Sequence, residues 1–334
     1  MRKIKDRNKT LIIAEVGPNH NGSLKKAIKM VKKLASIGVD VVKFQMGNPR
    51  LVYSDDAFKA NYQTRNDKSK SILEMSKKFQ LKKEDHYQLS KLCKKIKIIY
   101  ACSAFDLNSL IFLDKKLKIP FFKIASGEIH STDMIDYIAK KNKQVFMSTG
   151  MATFSEIGDV LKKLKRYGNN KITILHCISS YPANKNSINL NIIDELKRKF
   201  KTKIGYSDHS IGDEACLAAV AKGASVIEKH VTTSTKQKGP DHKASSNISD
   251  FADLVTKIRK LEIILGSKTK KFSKDEINVR KAARKSLVST RELPKGHIIS
   301  KRDIVFKRPG TGISPIDMKK ILSKKLLRSK KKIE

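Results

Sequence analysis

The sequence predicts an α/β protein, a (β/α)8 barrel followed by a small β-rich module. Three observations carry this expectation. Short β-branched runs recur from Leu11 to Thr232, about eight of them, as a barrel of this kind requires. A helix-length amphipathic segment follows each run, the pattern of repeated β/α units around a parallel sheet. Each run starts apolar and turns polar or charged only in its last residues, and in a barrel those carboxyl ends carry the active site. The number of units and their total length disfavour a doubly wound open sheet.

Taken in order, the expected strands are LIIAEV from Leu11, VVKFQ from Val41, IIYACSA from Ile98, FFKIAS from Phe121, QVFMST from Gln144, ITILHC from Ile172, KIGYSD from Lys203 and SVIEKHVT from Ser225. Glu15, Lys43 with Gln45, Ser103, Lys123 with Ser126 and Glu128, Ser148, His176, Ser207 with His209, and Glu228 with His230 fall at their ends. Packing accounts for Val41 or Ile124, but a lysine near the end of a buried parallel strand needs a paired anion or a ligand. Two such lysines converging with serines and histidines make a site. Ser23 is placed to cap the first helix. The stretch from Met46 to Leu81 is long for a β/α connection and reads as a functional flap. Beyond Gly266, SKTKKFSKDEINVRKAAR reads as a linker. SLVSTREL, HIIS and IVFKRP, parted by PKG and PGTG turns, then read as a compact β-rich unit. The expected division is a barrel over 1–267, a linker over 268–284 and a terminal module over 285–334. A module of about fifty residues has a marginal core and should dock on another surface.

The chain has 334 residues, with 72 Lys and Arg against 32 Asp and Glu, a formal charge of +40. Such an excess binds polyanions at low salt through counterion release, so a non-catalytic polyanion-binding protein is one alternative. The lysines, however, are spread along the whole chain as KK and KxK pairs, without one stripe interleaved with aromatics. No dedicated nucleic-acid site is expected, and the same field would draw in small anionic substrates. A hydrophobic content of 39%, with 16 Gly and 8 Pro, excludes collagen-like and wholly disordered classes. No apolar run approaches the roughly 18 residues of a membrane span, and MRKIKDRNKT leads only into LIIAEV, so a cytoplasmic protein without membrane contact is expected. Cys93, Cys102, Cys177 and Cys216 are far apart and form no CxxC, which suggests reduced, mostly buried thiols.

In KIASGE, Lys123, Ser126, Gly127 and Glu128 stand together at the fourth strand's mouth, and QVFMSTGMAT adds Ser148 and Thr149 before Gly150. Hydroxyls, glycine-exposed amides and a lysine suit a phosphate, although each serine alone would serve equally as a helix cap. His209 in IGYSDHS and His230 in VIEKHVT end consecutive strands, so their imidazoles can converge. Two histidines without a nearby cysteine suggest an open divalent-metal site completed by water and substrate oxygens. His20, His176 and His242 could each be loop hydrogen-bonders, and His86, His130 and His297 read as structural.

The motifs EVGPNHNGS, VVKFQ, KIASGE, STGMAT, LHCISSYP, IGYSDHS, AVAKGASVIEKHVT, GPDHKAS and KRPGTGISP, in this order through the chain, resemble the sialic acid synthase family, N-acetylneuraminate synthase and its legionaminate synthase relatives. The resemblance covers Leu11 to about Asp317. It implies a TIM barrel followed by an antifreeze-like (SAF) domain in a domain-swapped homodimer, and condensation of phosphoenolpyruvate with an N-acylated mannose-type sugar with release of phosphate. It implies catalytic roles for Glu15, Glu128 and Lys123. Lys43, Ser103, Ser126, Ser148, Ser179 and Ser207 match positions that serve phosphoenolpyruvate. Gln45, Tyr181 and Asp241 match sugar-contacting positions, and Arg308 in KRPGTG matches an arginine that reaches from one subunit's terminal domain to the other's sugar. A divalent metal, manganese with magnesium or cobalt as alternatives, would be held by His209 and His230 and polarise the sugar's aldehyde.

Three departures from the family pattern stand out. The third strand ends ACSAFD in place of a Ser-Thr-Pro-Phe phrase, so Ser103 must supply the hydroxyl without the rigidity of a following proline. The sugar-side loop reads ISSYPAN, where a Thr or Asn commonly precedes the Tyr. The chain ends at LLRSKKKIE, where relatives often continue into another strand, so an incomplete or less stable terminal domain is expected. The pseudaminate branch tends to lack the Gly of SGE and the GPDHKAS phrase, and both are here. The expectation is therefore N-acetylneuraminate synthase, with legionaminate synthase as the alternative. A barrel synthase making a shikimate precursor would lack KRPGTG.

Overall fold

In the computed structural model residues 9–331 are described. The outer parts of the N-terminal MRKIKDRNKT and of the C-terminal LLRSKKKIE lie outside the described residues. The chain divides into two units, one ending at Gly266 and the other starting at Ser267.

The first unit is built on eight parallel strands: β1 (Leu11–Glu15), β2 (Val41–Met46), β3 (Ile99–Ala104), β4 (Phe121–Ile124), β5 (Gln144–Ser148), β6 (Ile172–Cys177), β7 (Lys203–Asp208) and β8 (Val226–Thr232). They pair in the order β3-β2-β1-β8-β7-β6-β5-β4, and the two ends of this path lie side by side to give a nearly closed TIM-like barrel. Each strand falls within a residue or two of its expected position. Ser23 caps the first helix, its hydroxyl accepting from the Lys26 amide.

The period of two along a strand decides what the barrel encloses. Residues such as Ile12, Ala14, Val42, Phe44, Phe122, Ile124 and Met147 face outward and pack with the helices in the large core. Ile13, Val41, Ala101, Phe121, Phe146, Leu175 and Val226 form a separate buried cluster inside the barrel. Two residues further along the same inward-facing rows stand Glu15, Lys43, Ser103, Lys123, Ser148, Cys177 and Glu228, so an apolar floor carries a charged layer. Only glycine fits at position 205 of β7, where a Cβ would lie 2.5 Å from Leu175 Cδ2 and 2.7 Å from the Val226 carbonyl oxygen.

The Met46–Leu81 stretch is organised around three short helices, Pro49–Val52, Asn61–Asn66 and Ile72–Phe79. Ile72, Met75 and Phe79 of the last make a small core of their own with Tyr53 and Ala57.

In the second unit, Ser286–Ser289 pairs antiparallel with Ile304–Lys307. HIIS forms an isolated bridge, Ile298 to Lys325, and not a strand. Within the expected linker over 268–284, Glu276–Ala283 is helical. All of its residues are exposed, so it has no apolar stripe to announce it. Asp303 organises the unit. It accepts from Arg291 at 2.8 Å, His297 at 3.0 Å and the Ser300 amide at 2.9 Å, and bonds from His297 and Ser300 hold its carboxyl well below the usual range. The described C-terminal segment closes onto this unit through reciprocal Leu293 and Lys330 backbone bonds of 2.8 Å.

Candidate active site

The charged layer is a network of two lysines, two glutamates and three hydroxyls, its charged members buried. Lys43 Nζ lies 2.7 Å from Glu15 Oε2 and 3.5 Å from Glu228 Oε2, and donates to Ser103 Oγ at 2.9 Å. Lys123 Nζ lies 3.6 Å from Glu228 Oε1 and donates to Ser148 Oγ at 2.7 Å. Ser207 Oγ donates to Glu228 Oε1 at 3.0 Å, and Gln45 Nε2 donates to Glu15 Oε1 at 2.9 Å. Glu228 thus bridges both lysines and balances them with Glu15. An arriving dianion would find two cations held in place at low dielectric, where their field is strongest.

Burial pushes the Glu15 carboxyl up to about 7, with Lys43 opposing and the Glu228 charge adding to the rise. Burial likewise raises Asp241 to about 6, with His209 opposing. A carboxyl of pKa near 7 can hold or release a proton at neutral pH. Between the unfolded value near 4.5 and 7 the folded state binds the extra proton, so Glu15's contribution to stability falls as pH rises across that window. Burial lowers His20, His86 and His242 to between about 3 and 4, and these groups add stability as pH rises, so the Glu15 effect is read as a difference. In metal-free protein the stability of Glu15→Gln relative to the parent is expected to rise from pH 5 to pH 7. Urea midpoints measured across this range check it, and an unchanged slope in the variant would refute the assignment.

Further out along β7 and β8, the rings of His209 and His230 lie 5.4 Å apart, with Tyr181 4.0 Å from His209 and 5.6 Å from His230. His209 Nδ1 bonds the Ile178 carbonyl at 2.6 Å, a contact that needs Nδ1–H and turns Nε2 to other partners. His230 Nδ1 is buried without a hydrogen-bond partner, 3.7 Å from Asp241 Oδ2. Burial, reinforced by His209 and the lysines, holds His230 neutral. No group of three His, Cys, Asp or Glu side chains suited to a metal exists among the described residues. An orphaned neutral imidazole beside a second oriented one fits an open metal site in which water and substrate supply the other ligands.

Tyr181 also stacks on Tyr62 of the flap at 4.9 Å. A cavity of about 220 Å³ is lined here by Gln45, Tyr62, Tyr181, His230 and Asp241, with Val52, Met75, Phe79 and Phe105 among its apolar walls. Ser126 and Ser179 close on Gly150, where a Cβ would sit 2.1 Å from Ser179 Oγ and 2.6 Å from Ser126 Oγ.

Most of the expected site residues therefore come together. Glu128 stands apart from the lysines, half-buried in a second cleft with Asp106 and Asp133, where Ser131 donates to it. Arg308 is exposed in the second unit, in a loop that Ser286 Oγ fastens by donating to the Pro309 carbonyl at 2.6 Å. His20, His176 and His242 are hydrogen-bonders: His20 Nδ1 accepts from the Gly22 amide, His176 meets the Ile188 carbonyl, and His242 meets Thr232 and Asn21. Sequence reasoning passed over two participants. Glu228 was visible as a charged strand end but had no role until both lysines were seen to share it. Cys177 faces the site 3.5 Å from Ser126 Oγ.

Comparison with known proteins places this arrangement. The NeuB family model matches residues 30–270, and the SAF domain model matches residues 284–332. The chain is 43% identical over 321 residues to N,N'-diacetyllegionaminic acid synthase of Campylobacter jejuni, covering 95% of each chain. It is 38% identical over 320 residues to the protein of the same name from Legionella pneumophila, covering 94% of this chain and 90% of that one. Among solved structures, N-acetylneuraminic acid (sialic acid) synthetase from Leptospira borgpetersenii, in complex with citrate, matches with a TM-score of 0.72 at 32% identity, over 81% of this chain and 90% of that one. With a charged TIM-like barrel mouth and a C-terminal SAF domain, the chain belongs to the NeuB family of synthases.

Proposed function

We propose that this enzyme condenses phosphoenolpyruvate with 2,4-diacetamido-2,4,6-trideoxymannose, releasing phosphate and forming a legionaminate-type acid. One observation carries the first substrate: two buried lysines, balanced by Glu15 and Glu228, share a single layer with Ser103, Ser148 and Ser207. Lys43, Lys123 and these hydroxyls, with Ser126 and Ser179 at the rim, would hold the phosphate and carboxylate. The sugar reading is supported by the 43% and 38% identical relatives. It is also supported by Val52, Met75, Phe79 and Phe105, apolar walls that suit a 6-deoxy methyl and a second acetamido methyl better than two hydroxyls. N-acetylmannosamine, giving N-acetylneuraminate, is the second reading, supported by the likeness to the Leptospira enzyme.

In the reaction, the electrons of the enol double bond form a bond from the methylene carbon of phosphoenolpyruvate to the aldehyde carbon of the open-chain sugar, whose oxygen takes up a proton and becomes a hydroxyl. The cation left at the second carbon takes up water, which gives up its protons as phosphate departs with cleavage of the carbon–oxygen bond and the ketone forms. Gln45, Tyr181 and Asp241 would orient the sugar, while Lys43 and Lys123 hold the departing phosphate. Glu15 would move the proton at this centre, and Glu128, from the second cleft, which shares Val52 and Phe105 with the sugar cavity, would serve the sugar's hydroxyls. A divalent metal, manganese with magnesium or cobalt as alternatives, held by His209 and His230 would polarise the aldehyde.

We assign the terminal domain to a domain-swapped homodimer in which the partner subunit's Arg308 contacts the sugar's N-acyl group. Arg308→Ala is then expected to raise the sugar KM roughly tenfold or more, while the phosphoenolpyruvate KM moves less than about twofold. Equal changes in both would refute this role. The sugar assignment is tested by kcat/KM for the two sugars in parallel, with a preference of about tenfold or more expected for the diacetamido sugar. The reverse preference would establish the second reading.

A further inference from the structure

Between the barrel wall and the helix Glu214–Ala221 lies an ion pair that the chemistry above does not use. Asp208 is 0% exposed and Lys229 1% exposed, and Lys229 Nζ donates to Asp208 Oδ2. Asp208 Oδ1 also accepts from Tyr206 Oη at 3.0 Å, the Ser210 amide at 2.9 Å and Ser210 Oγ at 2.7 Å, and Cys216 Sγ approaches Oδ2 at 3.2 Å. Lys229 Nζ makes a further bond of 2.6 Å to the Ser210 carbonyl. By strand alternation both side chains point away from the site, since Ser207 and Glu228, the preceding residues, point into it.

We infer that the Asp208–Lys229 pair positions the two metal-binding imidazoles, an inference that rests on the metal reading above. Each member of the pair is one peptide bond from a histidine, Asp208 from His209 and Lys229 from His230. The backbone ladder between β7 and β8 ends at the Asp208 to Lys229 rung. His209 and His230 therefore lie just past the last rung, where the strands' own pairing no longer fixes their separation. The side-chain clamp takes over there. Lys229 spans from the Asp208 carboxylate to the Ser210 carbonyl, and Asp208 holds the Ser210 amide and hydroxyl, so His209 is gripped on both sides. The register of β8 against β1 supports His230 independently, opposite Glu15, which makes His209 the more dependent of the two. A buried ion pair adds little net stability over an apolar pair of similar volume. What it adds here is direction: the pair sets the angle at which two strands present their ligands, as outer partners do for metal-ligating imidazoles.

The test is manganese affinity, measured on the full-length protein without substrates by the electron paramagnetic resonance signal of free Mn²⁺. The double variant Asp208→Asn/Lys229→Met removes both charges and keeps the volume, and is expected to weaken binding by about 10- to 100-fold. Ser210→Ala, which deletes a single hydroxyl bond, should weaken it by a smaller factor of at least about threefold. Tyr100→Phe, which breaks the 2.7 Å bond to His86 on the outer face of β3, away from β7 and β8, should lower Tm and leave manganese affinity within about twofold. That contrast separates positioning from mere structural support. Affinity within twofold of the parent in the folded double variant would overturn the inference; if that variant does not fold, an unchanged affinity in Ser210→Ala overturns it. The metal reading has its own control. Equal binding by the parent and His209→Ala would remove that reading, and this inference with it.

Discussion

Replacing Lys43 by Met is expected to lower kcat/KM for phosphoenolpyruvate by roughly a thousandfold. Among the described residues Lys43 is the one cation that touches both site glutamates and a serine hydroxyl. In the ligand-free protein Glu15 and Glu228 satisfy it, and Glu15, with a carboxyl near pKa 7, can take a proton and free it for a substrate anion. A methionine of similar volume keeps the packing and removes the charge. It leaves Glu15 and Glu228 short of a partner, and breaking one side of a buried pair costs about 3–5 kcal/mol of stability. Lys43→Met/Glu15→Gln restores charge balance and should regain much of the stability while staying far less active than Glu15→Gln alone. Steady-state kinetics beside urea denaturation of all three variants check this. A double variant as active as Glu15→Gln alone would mean that Lys43 is a structural residue only.

His209→Ala should abolish metal-dependent turnover, with kcat reduced on the order of a thousandfold or more, while the barrel stays folded. The ring contributes a bond to the Ile178 carbonyl and a face against Tyr181, contacts whose loss the surrounding core can absorb. Phosphate release measured across added manganese, with near-ultraviolet circular dichroism as the fold control, decides the matter. Full activity of the variant after chelation and metal removal would eliminate the metal assignment.

Much of this was readable from the sequence because parallel strands that are buried on both faces have so little room for polarity. A lysine in VVKFQ or FFKIAS must meet an anion at the barrel's mouth, and both lysines do so, at Glu15 and Glu228. Ser103, expected to replace a threonine hydroxyl in ACSAFD, accepts from Lys43 at 2.9 Å. The flap was legible by its length, but Tyr62 within NYQTRN was not, since its stacking on Tyr181 joins residues far apart in sequence. Glu228 needed the barrel's curvature to bring β2, β4 and β8 around one carboxylate. Asp208 and Lys229 were hidden for the same reason: in IGYSDHS and VIEKHVT they look like two more charges, and only the register shows them opposite one another. The helix Glu276–Ala283 could not be read from pattern, since none of its residues is buried.

The most direct test of the account is phosphate release from phosphoenolpyruvate in the presence of manganese, with and without an N-acylated mannose-type sugar. The account predicts release that requires both the sugar and the metal, in step with a nine-carbon acid detected by mass. Release that is indifferent to the sugar, or none above a metal-free control with either sugar, would contradict it.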